Sequence, residues 1–212
     1  MTNTSSLPLF LVSVMLISLT GVMMPGPVTA LTITRGTQRR EAGALIAVGH
    51  GIVEVLIILL IYLGFARYLR LPLVRISVGL AGGLFLLWMA FQMFRTRIKL
   101  DDMQKQLSDN SIIAGLTLTA INPYFFLWWA TIGTALLASA RSFGGGGVVA
   151  MGVTHWVCDF SWLYLLSWVV FKSRQLWTYN VHRVVFSICA ALLAGFGVWF
   201  LYSSVNLMMT AS

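Results

Sequence analysis

Long apolar runs set the strongest limit on what this chain can fold into. Six of them cover most of the sequence, at residues 7–34, 42–65, 73–94, 111–139, 147–171 and 184–206. About 20 mainly apolar residues cross the hydrocarbon core of a bilayer as a helix, whose backbone satisfies its own hydrogen bonds there. We therefore predict an all-α membrane protein with six transmembrane helices, folded as a single domain over residues 1–212.

The placement of the positive charge predicts an orientation in the membrane. Charged residues make up 9% of the chain, against about 25% in soluble domains. With six spans, the loops after the first, third and fifth helices share one side, and they hold ten of the fourteen Lys and Arg residues. By the positive-inside rule these loops face the cytoplasm and both termini lie outside. We expect a multi-pass protein of the cell membrane, and the net charge of +8 does not indicate a nucleic-acid partner.

Two local features narrow the class further. The segment from Met1 to Leu7 lacks positive charge and precedes a long apolar run, so we do not predict a cleaved signal peptide. Cys158 and Cys189 lie in different apolar runs, and we expect no disulfide between them. Cys158 is a weak candidate for a metal ligand, since buried cysteines are commonly plain core residues.

A polar stretch at residues 95–110, predicted as a cytoplasmic loop, separates two similar halves at 7–94 and 111–206. Each half holds a proline motif in its first apolar run, a His-x-x-x-acid motif in its second and a Gly/Ala patch in its third. Because three is an odd number, the second half must enter the membrane upside down. We predict two inverted 3+3 repeats, which are typical of secondary transporters. Chance similarity among apolar helices is the alternative.

The proline motifs predict a broken first helix in each half. Pro25-Gly26-Pro27 interrupts the first run of one half, and Asn122-Pro123 interrupts that of the other. Proline lacks a backbone donor and clashes with the preceding turn, so the helix must kink or stop there. Irregular backbone at membrane depth is tolerated where it is buried or lines a wet cavity, and helix ends there can bind an ammonium or a carboxylate. A purely structural kink is the alternative.

The two His-x-x-x-acid motifs are the main candidates for a functional site. His50 and Glu54 share one face of a helix, as do His155 and Asp159, so we predict two side-by-side pairs that face each other beside the proline breaks. Ionisable groups inside a membrane are costly and usually functional. We interpret the two acids as sites for a proton or a cationic substrate group, tuned by histidines that can relay protons. Alternatively, the two side chains of each pair only satisfy each other's hydrogen-bonding groups, or they form a polar contact that holds two helices together.

Other residues carry weaker signals. Gly43, Ala47 and Gly51 form one face of the second helix and indicate close helix packing. We interpret Trp128 and Trp129 as packing residues, although one of them could line a cavity and contact an ammonium group with its ring. The sequence contains no phosphate loop, nucleophile elbow, Cys-x-x-Cys or zinc-protease motif, so we predict no enzyme, no catalytic residue, no cofactor and no resident metal.

The same motifs carry a resemblance to a known family. Pro25-Gly26-Pro27, the basic Arg-Gly-Thr-Gln-Arg-Arg loop that follows and Asn122-Pro123 resemble the LysE/RhtB family of amino-acid exporters over about residues 7–206. Many members have lysine where this chain has Tyr124, and a Gly-Asp pair where it has Gly49-His50, so the chain resembles a divergent branch. The resemblance implies export of amino acids or similar metabolites, driven by the proton gradient and often by a homodimer. The wider superfamily includes carriers of metal cations.

These observations predict a secondary transporter that exports amino acids or related metabolites by proton-coupled antiport with alternating access. Its expected partners are a small-molecule substrate, protons and the lipid bilayer. A divalent metal carrier and a membrane scaffold without transport are the alternatives. The two kinds of motif together form the predicted central cavity, with the substrate- and proton-binding residues Pro25, Gly26, Pro27, His50, Glu54, Asn122, Pro123, His155 and Asp159.

Overall fold

The computed structural model of the protein describes residues 6–24, 26–65, 68, 71–95 and 110–211, and every regular element within them is helical. The all-α prediction is therefore confirmed for this part of the chain. Short π-helical turns at Ile61–Phe65 and Trp129–Gly133 and 3₁₀ turns at Arg141–Phe143 and Arg174–Leu176 extend or join the α-helices. The α-helices are α1 Leu7–Val22, α2 Pro27–Gly36, α3 Ala42–Leu60, α4 Pro72–Arg95, α5 Ser111–Ala120, α6 Pro123–Trp128, α7 Thr134–Ala140, α8 Gly144–Lys172 and α9 Tyr179–Ala211.

Several of these helices are long and apolar enough to cross a membrane. By length and composition, four stretches of the described chain qualify: Ala42–Phe65, Pro72–Phe91, Pro123–Lys172 and Arg183–Thr210. The helices α1 and α2 count as a fifth if the bent pair is taken as one span, while α5 is apolar but only 10 residues long. The structure thus shows a multi-pass helical protein with four to five candidate spans, where the sequence predicted six.

The longest of these stretches is divided at a glycine. Pro123–Lys172 has 50 residues, and a straight helix of that length would extend about 75 Å, more than twice the hydrocarbon core. Gly144 has a φ of 72°, a left-handed conformation that glycine adopts without steric cost, and α8 begins there. The stretch is therefore two helical segments that meet at Gly144.

A helix begins at each proline motif, as predicted. Gly26 precedes α2 with extended backbone and Pro27 occupies the first turn, and the axes of α1 and α2 differ by 78°. Asn122 precedes α6, whose first turn contains Pro123, and the Asn122 side chain accepts a hydrogen bond from the Tyr124 N–H at 3.1 Å. Proline suits these positions because the first turn of a helix needs no N–H from it. Pro25 and most of the predicted cytoplasmic loop at 95–110 lie outside the described residues.

The helices of the two halves pack against each other in reciprocal pairs. The long helices α4 and α9 lie side by side, and so do α3 and α8. In addition, α3 packs against α5, the opening helix of the second half, while α8 packs against α1, the opening helix of the first. A Cβ atom at Gly43 would collide with the carbonyl oxygen of Leu163 on α8. The predicted small-residue face of α3 therefore packs closely within one chain.

Candidate functional site

The two His-x-x-x-acid motifs meet where α3 and α8 pack together. His155 Nε2 lies 2.8 Å from Glu54 Oε1, and His50 Nε2 lies 3.6 Å from Asp159 Oδ1. His155 Nε2 also lies 3.5 Å from Asp159 Oδ2. Three of the four side chains are buried, with exposed fractions of 1% for Glu54, 4% for His155 and 6% for Asp159, and His50 is half-buried. One cluster of four ionisable groups therefore lies in the interior of an apolar helical bundle.

The pairing within this cluster corrects the sequence prediction. His155 and Asp159 do form the predicted contact along α8, but within the described residues no ion-pair contact joins His50 to Glu54 along α3. Each histidine instead reaches the acid of the other helix. The close packing of α3 on α8 explains this, because both acids lie between the helices and the nearest imidazole comes from the opposite one.

Two hydroxyl groups complete the contacts of the histidines. His155 Nδ1 lies 2.6 Å from Ser18 Oγ on α1, and His50 Nδ1 lies 2.9 Å from Thr119 Oγ1 on α5. We call Ser18, His155 and Glu54 the Glu54 triad, and Thr119, His50 and Asp159 the Asp159 triad. Each triad combines residues of both halves. Sequence reasoning did not identify either hydroxyl, although each lies in an apolar helix that precedes a proline motif.

The Thr119 hydroxyl determines which nitrogen of His50 carries a proton. Thr119 Oγ1 donates its only proton to the carbonyl oxygen of Gly115 at 2.8 Å, so it can only accept from His50 Nδ1. A neutral His50 is then protonated at Nδ1, and its Nε2 presents a lone pair toward Asp159. A lone pair and a carboxylate repel each other. The pair becomes complementary only when a proton or another cation lies between Nε2 and Oδ1.

The acids of the cluster have unused hydrogen-bonding capacity. Among the described residues, both Glu54 carboxylate oxygens and Asp159 Oδ2 are buried without a hydrogen-bond partner. The short Glu54–His155 contact is close in distance but does not have the direction of a hydrogen bond. A buried ion without full compensation costs several kcal/mol. The cluster is therefore suited to take up a proton or a positively charged group.

Aromatic rings enclose the histidines. Trp128 stacks on His155 with ring centres 4.6 Å apart and planes 18° apart, and Trp129 meets the same imidazole edge-on at 5.2 Å. Phe125 contacts His50 edge-on at 5.4 Å. The Trp128 Nε1–H is buried without a hydrogen-bond partner in the described part of the chain. The two tryptophans thus pack against the cluster, as expected, and Trp128 also presents an unused donor.

A cavity of about 90 Å³ adjoins the cluster at the two helix breaks. This space can hold several water molecules or a small polar group. Six of the predicted site residues line it: Gly26, Pro27, His50, Asn122, His155 and Asp159. Trp128 and Trp129 line it too, and the apolar part of the wall includes Leu86, Leu193 and Phe196.

Two predicted lining residues are not part of this wall, and a third is not described by the structure. Glu54 lies in the wall of a separate groove between α3 and α8. Pro123 packs instead toward α4, where a Cβ atom at Gly82 would lie 2.9 Å from its ring. Pro25 lies outside the described residues. The prediction of one cavity lined by both acids is therefore wrong for Glu54, because α3 and α8 enclose it between two spaces.

The two helix starts at the cavity differ in their capping. The N-terminus of α6 is capped by the Asn122 side chain. No described side chain caps the N-terminus of α2, and its first residues, Pro27, Val28 and Thr29, line the cavity. Uncapped backbone N–H groups and the helix dipole together favour an anion at such an end. The cavity therefore has an anion-favouring side at α2 and a cation-favouring side at Asp159.

Comparison with known proteins gives one result. The family model described as LysE type translocator matches residues 19–204, which is most of the chain. No curated protein and no solved structure shows significant similarity to this chain. The match includes the start of α2 and the residues His50, Glu54, Thr119, His155 and Asp159, whereas Ser18 and most of α1 precede it.

Proposed function

Since the chain belongs to the LysE type translocator family, we propose that it exports amino acids or related small metabolites from the cytoplasm in exchange for protons. The observation that carries this proposal is the Asp159 triad. It lies beside a cavity at two helix breaks, and it requires a cation between His50 Nε2 and Asp159 Oδ1.

The geometry supports a zwitterionic substrate in the cavity. An ammonium group has three donors, so it can bond to the His50 lone pair and to the Asp159 carboxylate together. The substrate carboxylate then lies toward the uncapped start of α2, within reach of the Trp128 N–H. The substrate side chain faces the apolar wall near Leu86 and Phe196. This arrangement leaves no unpaired charge at either end of the substrate.

The same contacts support a coupling of proton entry to export. A proton on Asp159 or on His50 satisfies the triad in the absence of substrate, and a bound ammonium replaces it. Proton and substrate thus compete for one place, and each crosses the membrane in the opposite direction to the other. Alternating access supplies the movement, with the breaks before α2 and α6 as the flexible points.

The helix contacts support a six-span inverted repeat in a single domain. In the proposed arrangement α1 with α2 forms one broken span, α5 with the segment up to Phe143 forms another, and Gly144 begins the fifth. The reciprocal pairs α3 with α5 and α8 with α1 agree with exchange of the halves by a two-fold axis. We place both termini outside, the basic loops in the cytoplasm and the protein in the cell membrane, with a homodimer as the proposed assembly.

Transport assays in proteoliposomes test this proposal. Vesicles containing the purified protein are loaded with a panel of radiolabelled amino acids and diluted into acidic buffer, and efflux is followed with and without the proton gradient. We expect efflux of at least one amino acid that rises with the gradient and is lost in Asp159→Asn. The matched control Glu41→Gln changes an exposed acid in the loop before α3 and should retain efflux. Absence of flux for every amino acid would contradict the proposal and favour the scaffold alternative.

A divalent cation is the second candidate substrate. One ligand atom from each of His50, Glu54 and Asp159 lies within 4.8 Å of the others, a separation that one cation could bridge. Imidazole and carboxylate groups suit zinc and manganese. The same vesicles loaded with a metal-sensitive dye distinguish the two cases. Uptake of zinc or manganese without any amino-acid flux would replace amino-acid export by metal transport.

A further inference from the structure

A second space lies on the outer side of the α3–α8 pair. It is a groove of about 630 Å³ between the two helices, and its walls are almost entirely apolar. Val55, Val149 and Val153 are exposed along it, and in a membrane-spanning pair such side chains face lipid. The groove is therefore accessible from the bilayer.

A buried carboxylate interrupts this apolar surface. Glu54 lies in the wall of the groove with 1% of its surface exposed, and neither of its oxygens has a hydrogen-bond partner among the described residues. The other polar group in the middle of the groove is already used, because Trp156 Nε1 donates to the Ala47 carbonyl oxygen at 3.2 Å. The titratable group nearest to Glu54 is His155 on α8. Asp159 on α8 and His50 on α3 lie farther inside the cluster.

We propose that this groove binds amphipathic amines, with the ammonium group at Glu54 and the alkyl chain along α3 and α8 toward Tyr62. A neutral lipid chain would fill the groove and leave Glu54 Oε2 without a partner and Oε1 with only the His155 contact. An ammonium group supplies the missing hydrogen-bond donors and the opposite charge, and such charge-assisted hydrogen bonds are the strong ones. The distance from Glu54 to Tyr62, along α3 and into the π-helical turn that follows it, is about 12 Å at 1.5 Å per residue, so a medium-length chain is accommodated.

Direct binding to the full-length protein tests this inference. The protein is reconstituted in phosphatidylcholine nanodiscs, and tritiated dodecylamine is titrated with empty nanodiscs as background. We expect saturable binding of about one amine per chain, at least tenfold weaker in Glu54→Gln. Dodecanol and dodecanoate have the same tail with a neutral or an anionic head, and they should not compete.

A pair of glycine variants localises the ligand. A Cβ atom at Gly152 would lie 3.4 Å from Ile58 Cδ1, so the helix pair tolerates a side chain there, and Gly152→Phe fills the groove. Gly195 on α9 is exposed, and a Cβ atom there would have open space within 4 Å, so Gly195→Phe is the matched control. We expect binding to be lost in the first variant and unchanged in the second, with both proteins eluting as monodisperse species.

Three results would overturn the inference. Unchanged dodecylamine affinity in Glu54→Gln would remove the role of the carboxylate. Equal competition by dodecanol would show that the groove takes any lipid chain. Cross-linking of Val153→Cys to a second copy in the presence of saturating amine would show that a contact between chains occupies the groove. The assay measures binding without flux, so these results are independent of whether the protein exports amino acids.

Discussion

The two triads use the same three kinds of group and differ in what surrounds them. In the Glu54 triad the contacts are short, at 2.6 and 2.8 Å, and two tryptophans enclose His155. In the Asp159 triad they are 2.9 and 3.6 Å, and Asp159 borders the cavity. The gap at Asp159 has room for a donor from outside the protein. In the Glu54 triad His155 borders the cavity, but the acid itself does not.

The hydroxyl groups differ in a second respect. Thr119 has given its proton to Gly115 O and so fixes the tautomer of His50. Among the described residues Ser18 Oγ has no other partner than His155 Nδ1, so it can donate or accept, and His155 can change tautomer. We infer a division of roles from this difference. Asp159 holds either the substrate or the proton that competes with it. Glu54 passes protons to and from Asp159 through His155, whose Nε2 lies near both acids and whose tautomer can change.

The largest expected effect is that of Asp159→Asn. The substitution removes the carboxylate that faces the cavity, and loss of one partner of a buried charged contact costs about 2–5 kcal/mol. We expect both proton-driven efflux and substrate exchange between vesicle sides to fall about 30-fold or more, since 1.4 kcal/mol is tenfold. Radiolabelled efflux and counterflow measure the two activities. Exchange near the unsubstituted rate would show that Asp159 does not contact the substrate.

The Glu41→Gln control for this variant has its own pH behaviour. The Arg40 guanidinium lowers the pKa of the Glu41 carboxyl through a hydrogen bond and its charge. The contribution of this pair to stability is therefore present above the ordinary glutamate pKa and is lost as the pH falls through the lowered one. Because both side chains are exposed, we expect a negligible change in melting temperature and none in transport.

Glu54→Gln should separate the two triads most clearly. Glutamine keeps the shape of the side chain and cannot bind a proton, so efflux should lose its acceleration by the proton gradient, by about tenfold or more. Counterflow exchange should remain within about threefold, because Asp159 and His50 still bind the ammonium group. Parallel assays at equal pH and with a gradient give the comparison. If exchange and gradient-driven efflux fall together, the two acids are not divided in role.

Trp128→Phe tests the anion-favouring side of the cavity. Phenylalanine can retain the stacking on His155 but has no N–H, and a hydrogen bond to a charged group contributes about 1.5–3 kcal/mol. We expect the KM of the best amino acid to rise about tenfold, with little change for the corresponding amine without a carboxylate. Trp129→Phe, which changes the neighbouring ring, serves as the control. Equal effects on the acid and the amine would place the carboxylate elsewhere.

The smallest effects should come from the hydroxyls, and they should differ. Thr119→Val keeps the shape and removes the acceptor that fixes His50, so we expect about a fivefold loss of exchange. Ser18→Ala removes a flexible partner of His155, and we expect about a twofold loss of gradient-driven efflux with exchange retained. Initial rates in both assays give the ratio. The reverse order of effects would show that Ser18, not Thr119, holds the substrate-facing histidine.

Local rules of sequence predicted a large part of the fold and of the site. The proline motifs predicted the helix starts at Pro27 and Pro123. The cost of burying charge in a membrane pointed to the ionisable residues of the site, which are His50, Glu54, His155 and Asp159. These signals lie within a few residues of the chain. They therefore need no knowledge of how distant helices pack.

The remaining features depend on packing between distant helices. The way α3 and α8 pack against each other decides which histidine contacts which acid. The four-residue spacing within each His-x-x-x-acid motif does not contain this information. Ser18 and Thr119 resemble many other hydroxyl residues in apolar helices until α1 and α5 come to lie beside the histidines. The span number was predicted from apolar length alone, whereas α5 has only 10 residues and is too short to count as a span by itself.

The stacking of Trp128 on His155 gives the molecule an optical property. An indole in face-to-face contact with an imidazole emits less light when the imidazole gains a proton, because the imidazolium accepts an excited electron. With ring centres 4.6 Å apart, this quenching follows the charge of one side chain. The difference in emission between the protein and its Trp128→Phe variant therefore records the protonation of His155 during turnover, and no label has to be attached.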